Sequence, residues 1–219
     1  MLITSQHLMV FAPHPDDEVL GAGGLIAKSA DAGSLITVVI YRMSGQTRAA
    51  ELDACLDILA PAAHKTIELT EDGTPPLTLN QWDLTATVDA ILKVQQPDLV
   101  VGPPPHAYHA EHRHINAAIM SACRPNGATD RWRPPALAFY EQVADQWGHD
   151  HGGFRPNWYV TLNGLQAQRK LAGYACHASQ VRDAPSERSP AAVDALMRMR
   201  GALCGSTFAE AYVAMYLRS

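Results

Sequence analysis

The sequence predicts an α/β chain in three layers, with a mostly parallel central sheet and helices on both faces. Three observations carry that expectation. Short apolar runs rich in β-branched residues alternate with longer stretches of helical spacing. Gly or Pro closes most of these runs. The 219 residues, 47% hydrophobic and 18% charged, suffice for one sizeable core without disulfide or metal staples. A single domain over residues 1–219 is expected, with 131–219 forming a C-terminal portion that makes a substrate pocket or lid.

The elements follow in order. His7–Ala12 is a short apolar run halted by Pro13, as a buried strand would be. Val19–Ala32 is helix-like, with Gly33 as its stop. Leu35–Tyr41 is dense in Val and Ile and reads as a central strand. Gln46–Leu59 spaces Leu52, Cys55, Leu56 and Leu59 as one helical face. Lys65–Leu69 is a third strand candidate, and Glu71–Leu77, with Gly and two Pro, a loop. Asn80–Gln95 is a helix, Leu99–Gly102 a buried strand ended by Pro103–Pro105, and Ile115–Cys123 a helix. Ala136–Tyr140 is a fifth strand candidate inside Arg131–Pro156, which otherwise reads as a long, functional or lid-like loop. Leu165–Cys176 and Pro190–Cys204 are helical, and a final apolar stretch starts at Phe208. The alternation is Rossmann-like, and sites in such sheets form in loops at the carboxyl ends of strands. Residues 13–18 and 103–114 follow the first and fourth strands, which neighbour each other when the sheet is doubly wound.

Composition excludes several classes. With 17 basic and 22 acidic residues the net charge is −5, which is no nucleic-acid footprint. Cysteines 55, 123, 176 and 204 form no Cys-x-x-Cys pair and sit in apolar stretches as small core residues. The start, MLITSQHLMVFAPHPDD, lacks the basic opening of a signal peptide, and no apolar run reaches membrane-spanning length. A soluble, cytoplasmic protein without nucleic-acid or membrane partners is expected; a homo-oligomer is left open.

Histidine is the unusual residue. There are ten, and His106, His109, His112 and His114 crowd one short segment. Far upstream, His14-Pro15-Asp16-Asp17-Glu18 sets one His beside three carboxylates. Adjacent carboxylates point apart, so one can bind a metal while the other faces water. The plainer reading makes Asp16 and Asp17 helix caps, which leaves His14 without a role. A catalytic zinc takes three protein ligands and keeps one open position. His14, Asp17 and one histidine of the later cluster supply such a set, with His106 and His114 cast as bystanders. Gly21-Ala22-Gly23-Gly24 lacks the spacing of a dinucleotide fingerprint and reads as close helix packing on the sheet.

The stretches APHPDDEVLGAGGLIAK, SGQTRAAELDACLDILA, HAEH, KLAGYACHASQ and FAEAY together resemble the PIG-L/LmbE-like family of zinc-dependent N-acetylglucosaminyl deacetylases. The resemblance implies one Zn2+ per chain held by His14, Asp17 and His112. It makes Asp16 the general base toward a zinc-activated water. His109 becomes the second catalytic residue, stabilising the oxyanion or protonating the leaving amine. Arg48 becomes a substrate-binding residue, its plainer alternative being a pair with Glu51. Two departures stand out: Glu111 replaces the family's usual aspartate, keeping the charge on a longer arm, which bears on the orientation of His109, and Ala110 stands where proline is common.

The function implied is removal of the N-acetyl group from an N-acetylglucosamine-containing small molecule, with release of acetate. Two alternatives remain beside it: an N-deacylase for a non-sugar natural product or thiol conjugate, and a non-catalytic sugar-binding or structural-metal module. Trp132, Trp147 and Trp158 serve either a sugar-stacking face or, by preference, anchorage of the long loop.

Overall fold

A computed structural model describes residues 6–61, 63–70, 79–125, 131–147 and 153–218. The chain runs β1 (His7–Ala12), α1 (Asp17–Asp31), β2 (Leu35–Ile40), α2 (Gln46–Leu59), β3 (His64–Glu68), α3 (Gln81–Gln95) and β4 (Leu99–Gly102). It continues with α4 (Ala110–Ala122), β5 (Ala136–Tyr140), a 3-10 helix (Ala144–Trp147), β6 (Trp158–Leu162), α5 (Gly164–Cys176), α6 (Pro190–Leu203) and β7 (Phe208–Leu217). The seven strands form one sheet in the order β3-β2-β1-β4-β5-β7-β6. β1 pairs in parallel with both β2 and β4, so the chain reverses its direction of sheet growth there. β7 is antiparallel to both of its neighbours, β5 and β6.

Strand alternation divides the core. Leu8, Val10 and Ala12 of β1 face a cluster built from α1, α2, α5 and α6. Met9 and Phe11 face the opposite cluster, built from α3 and α4. Strands covered on both faces must be apolar throughout, which is why β1 and β4 show no polar alternation.

Two glycines set how closely α1 lies on the sheet. A Cβ at Gly21 would sit 2.3 Å from the Tyr140 ring, and one at Gly24 would sit 2.3 Å from Leu162. The Gly-rich segment is therefore a packing surface, as its sequence suggests.

Several boundaries differ from the sequence expectation. α4 starts at Ala110 rather than Ile115, because the His109 ring caps it by accepting from the Glu111 backbone N–H. Its first turn, Glu111-His112-Arg113-His114, is polar and carries no apolar period to read. Within residues 131–156 the strand expected at Ala136–Tyr140 is present as β5, and the departure is the 3-10 helix at Ala144–Trp147 in place of loop; 148–152 fall outside the described residues. The loop expected over 71–77 also falls outside them. β6 was not expected, and the final apolar stretch proves to be the strand inserted between β5 and β6. Cys55 and Cys123 are buried, whereas Cys176 and Cys204 are half-buried; all four are free thiols.

Candidate functional site

Because β1 and β4 are neighbours, the segments leaving their carboxyl ends converge. The first turns abruptly at Asp16, whose φ of 124° lies in the left-handed region, where a non-glycine residue is strained. Asp16 occupies the cap position of α1 but makes no capping hydrogen bond with its side chain. The simple helix-cap reading of the two acids therefore fails at Asp16. What the strain achieves is a split: Asp17 turns toward the histidines, and Asp16 toward arginines.

Asp17 Oδ2 accepts from the His14 backbone N–H at 2.9 Å, and it lies 3.3 Å from His14 Nδ1 and 3.2 Å from His112 Nε2. Its other oxygen accepts from the Gln142 side-chain amide at 2.9 Å. Burial opposes the charge on Asp17, but His112 and His14 hold its carboxyl well below the usual range. Burial likewise opposes charge on His14, while Asp17 and Glu111 push it up to about 9. The three residues offer one donor atom each, all within 4.8 Å of one another. Tetrahedral bonds of about 2.1 Å to N and O ligands imply donor spacings of about 3.4 Å. The two distances to Asp17 Oδ2 fit that requirement, so these residues suit a small divalent cation.

Two other donor groupings exist among the described residues: His14 with His109 and Glu111, and Glu18 with Cys55 and His177. The His14–Asp17–His112 set is the one whose members all line a single cavity.

Asp16 is 1% exposed, and its Oδ1 accepts from Arg48 at 3.0 Å. Its Oδ2 makes no hydrogen bond, the nearest cation being Arg188 at 3.5 Å. Burial and the adjacent Asp17 charge push Asp16 up to about 7, against the pull of Arg48 and Arg188. Behind it, Glu18 accepts from the Asp16 backbone N–H at 2.9 Å and meets His177 Nε2 at 2.9 Å, in a fully buried relay. Arg48 also donates to the Pro15 carbonyl. It does not hold Glu51, which instead accepts from the Ser179 backbone N–H and hydroxyl.

The longer arm of Glu111 has a definite consequence. Its carboxylate closes a hydrogen bond with His14 Nε2 and remains 3.9 Å from His109 Nδ1. The departure at Glu111 therefore bears on His109 as its longer arm suggested: the carboxylate is taken up by His14 and makes no hydrogen bond to the His109 ring. His109 is held instead by the Glu111 backbone N–H, which donates to its Nδ1 at 3.3 Å. With Nδ1 accepting, the neutral ring keeps its proton on Nε2. Burial lowers the His109 pKa, as do His112 and His14.

A cavity of about 250 Å³ opens over these groups. Its wall includes His14, Asp17, His109 and His112, with Arg42, Arg48 and Arg188 alongside. The structure thus gathers His14, Asp16, Asp17, His109, His112 and Arg48, as the sequence suggested. Of the other cluster members, His114 packs against Tyr41, whose hydroxyl meets its Nδ1 at 3.2 Å. Trp132 donates its indole N–H to the Pro97 carbonyl, and the Trp158 ring packs on Tyr212, so both anchor the fold. Gln142, Asp145 and Arg188 were missed, because single polar residues in irregular segments carry no local signal.

Known proteins share both the sequence pattern and the fold. The sequence profile of the PIG-L family, described as GlcNAc-PI de-N-acetylase, matches residues 9–123. A Rhodococcus erythropolis protein, 1D-myo-inositol 2-acetamido-2-deoxy-alpha-D-glucopyranoside deacetylase, is 25% identical over 206 residues, covering 72% of this chain and 69% of that protein. The N,N'-diacetylchitobiose deacetylase of Pyrococcus horikoshii superposes with a TM-score of 0.74 at 20% identity, covering 96% of this chain and 84% of the other. GalB, the 4-carboxy-2-hydroxymuconate hydratase of Pseudomonas putida KT2440, also reaches 0.74, at 17% identity and 98% coverage of each chain. Likenesses of that degree establish a shared three-layer fold.

Proposed function

The chain belongs to the PIG-L family, and from that premise we propose that it hydrolyses the acetamide of an N-acetylglucosamine-containing small molecule, releasing acetate and a free amine. The observation that carries this reading is the division of labour between adjacent acids. Asp17 sits among histidine donors, and Asp16 keeps one buried oxygen without a hydrogen bond.

In this reading His14, Asp17 and His112 hold one Zn2+ per chain. The ion would polarise the amide carbonyl and acidify a water. Asp16 Oδ2 accepts the proton of the attacking water, with Arg48 fixing the other oxygen. A pKa near 7 suits a base that must later release its proton. His109 presents Nε2–H toward the charge that develops on the carbonyl oxygen. The water oxygen bonds to the carbonyl carbon, the C–N bond breaks, and the amine nitrogen receives the proton taken from water. Arg48 and its neighbours Arg42 and Arg188 give the cavity a cationic wall suited to sugar hydroxyls or an anionic aglycone.

The test is zinc analysis joined to acetate release across N-acetylglucosamine conjugates and non-sugar acetamides. Zinc-dependent release from the sugar series supports the proposal. Turnover of non-sugar amides alone would move the activity to an N-deacylase. Zinc binding with no release from any amide would overturn hydrolysis. The hydratase among the fold relatives makes an unsaturated acid a useful added substrate.

A further inference from the structure

His112 presents Nε2 to Asp17, while its Nδ1 is buried and makes no hydrogen bond. A buried imidazole nitrogen without a partner is costly, and here it belongs to a residue assigned to the metal. The neighbouring 3-10 helix holds a second such case. Asp145 is 2% exposed, and neither of its carboxylate oxygens makes a hydrogen bond of ordinary geometry. The Tyr108 backbone N–H favours its charged form without closing such a bond.

Both groups belong to one locality. The Asp145 backbone N–H donates to the Gln142 carbonyl at 3.2 Å, and the Gln142 side chain holds Asp17 Oδ1 at 2.9 Å. Val143 and Ala144, immediately before Asp145, line the same cavity as His112 and Asp17. The other acid of this turn, Glu141, is taken up by Arg200 and by the Gln146 amide. Asp145 and His112 also attract each other electrostatically, each favouring the charged form of its partner.

We propose that Asp145 is a positioning residue for His112: the two partnerless groups close on each other when the metal is bound, Asp145 then accepting the Nδ1–H of His112 and so aiming Nε2 at the metal. Histidine ligands characteristically donate their second N–H to a carboxylate or carbonyl, which fixes the tautomer and makes the ligating nitrogen more basic. His14 already has such a carboxylate in Glu111, and Asp145 supplies the equivalent for His112. The assignment rests on the reading of His14, Asp17 and His112 as metal ligands.

The experiment compares wild type with Asp145→Asn and Asp145→Ala. Zinc affinity is measured by chelator competition, and imidazole N–H resonances are read on the zinc-loaded proteins. His112→Gln assigns the His112 signal. In wild type a protected Nδ1–H proton is expected. Asp145→Ala loses that protected signal and weakens zinc binding by about 10- to 100-fold. Asp145→Asn, which keeps an acceptor oxygen but no charge, falls between the two. Unchanged zinc affinity with a retained protected signal in Asp145→Ala overturns the assignment alone. A wild type that binds no zinc overturns the metal reading and this inference together. Asp145→Asn guards against a fold defect: weaker zinc binding in a variant whose metal-free melting matches wild type still counts for positioning.

Discussion

The Gln142 amide donates to Asp17 Oδ1 at 2.9 Å, on the opposite side of that carboxylate from His14 and His112. The carboxylate is thereby fixed in rotation, with Oδ2 the oxygen left for the histidine side. Gln142→Leu is expected to fold normally and to weaken zinc binding by about tenfold, as loss of such supporting hydrogen bonds does. Chelator competition checks this, and wild-type affinity in the variant would show that Asp17 needs no such hold.

Asp16→Asn keeps the size and the Arg48 contact but removes the proton acceptor. The expected outcome is zinc binding close to wild type, with acetate release reduced by about 100-fold or more. Zinc content and turnover are to be measured on the same sample. Retention of full turnover would remove Asp16 from the role of base.

Lys170 and Glu210 form a buried ion pair at 2.6 Å, and Glu210 also accepts from the Gly24 and Leu25 backbone N–H groups. Lys170→Met strands that carboxylate and is expected to cost about 3–5 kcal/mol in urea unfolding. The exposed pair Arg198–Asp194, one helical turn apart, provides the contrast: Asp194→Ala should cost no more than about 0.5 kcal/mol. Similar losses in the two variants would mean that burial does not set the cost of breaking an ion pair in this protein.

His177 supplies a pH dependence. Burial opposes its charge, but the hydrogen bond to Glu18 prevails and raises its pKa. A folded-state value above the unfolded one means the stabilisation is fully present below about 6.5 and is lost as pH climbs through the raised folded value. His177→Gln should therefore destabilise more at a pH of about 6 than at about 9. Urea titrations at both values decide it; an equal penalty would mean that the charge contributes nothing.

Much of this was legible beforehand for a physical reason. β1, β2 and β4 are covered on both faces, so their runs are apolar almost throughout. The site residues His14, Asp16 and Asp17 were visible because they are nearly consecutive. What was hidden depends on contacts distant in sequence. Glu111 reaches His14 across 97 positions. Gln142 reaches Asp17 across 125 positions from a segment without any period. The start of α4 was obscured because its first turn, Glu111-His112-Arg113-His114, is polar and carries no apolar stripe.

The insertion of β7 between β5 and β6 bears on biosynthesis. β6 has no hydrogen-bonded neighbour in the sheet until residues 208–217 arrive. Glu210, on that same strand, ties down the backbone of α1, the helix that begins at Asp17. During translation the β3-β2-β1-β4-β5 half can assemble as it leaves the ribosome, but the far edge and the clamp on α1 must wait for the last strand. A chain stalled before residue 208 would therefore expose an open sheet edge and a loosely held α1, making it a target for chaperones rather than a partly active enzyme.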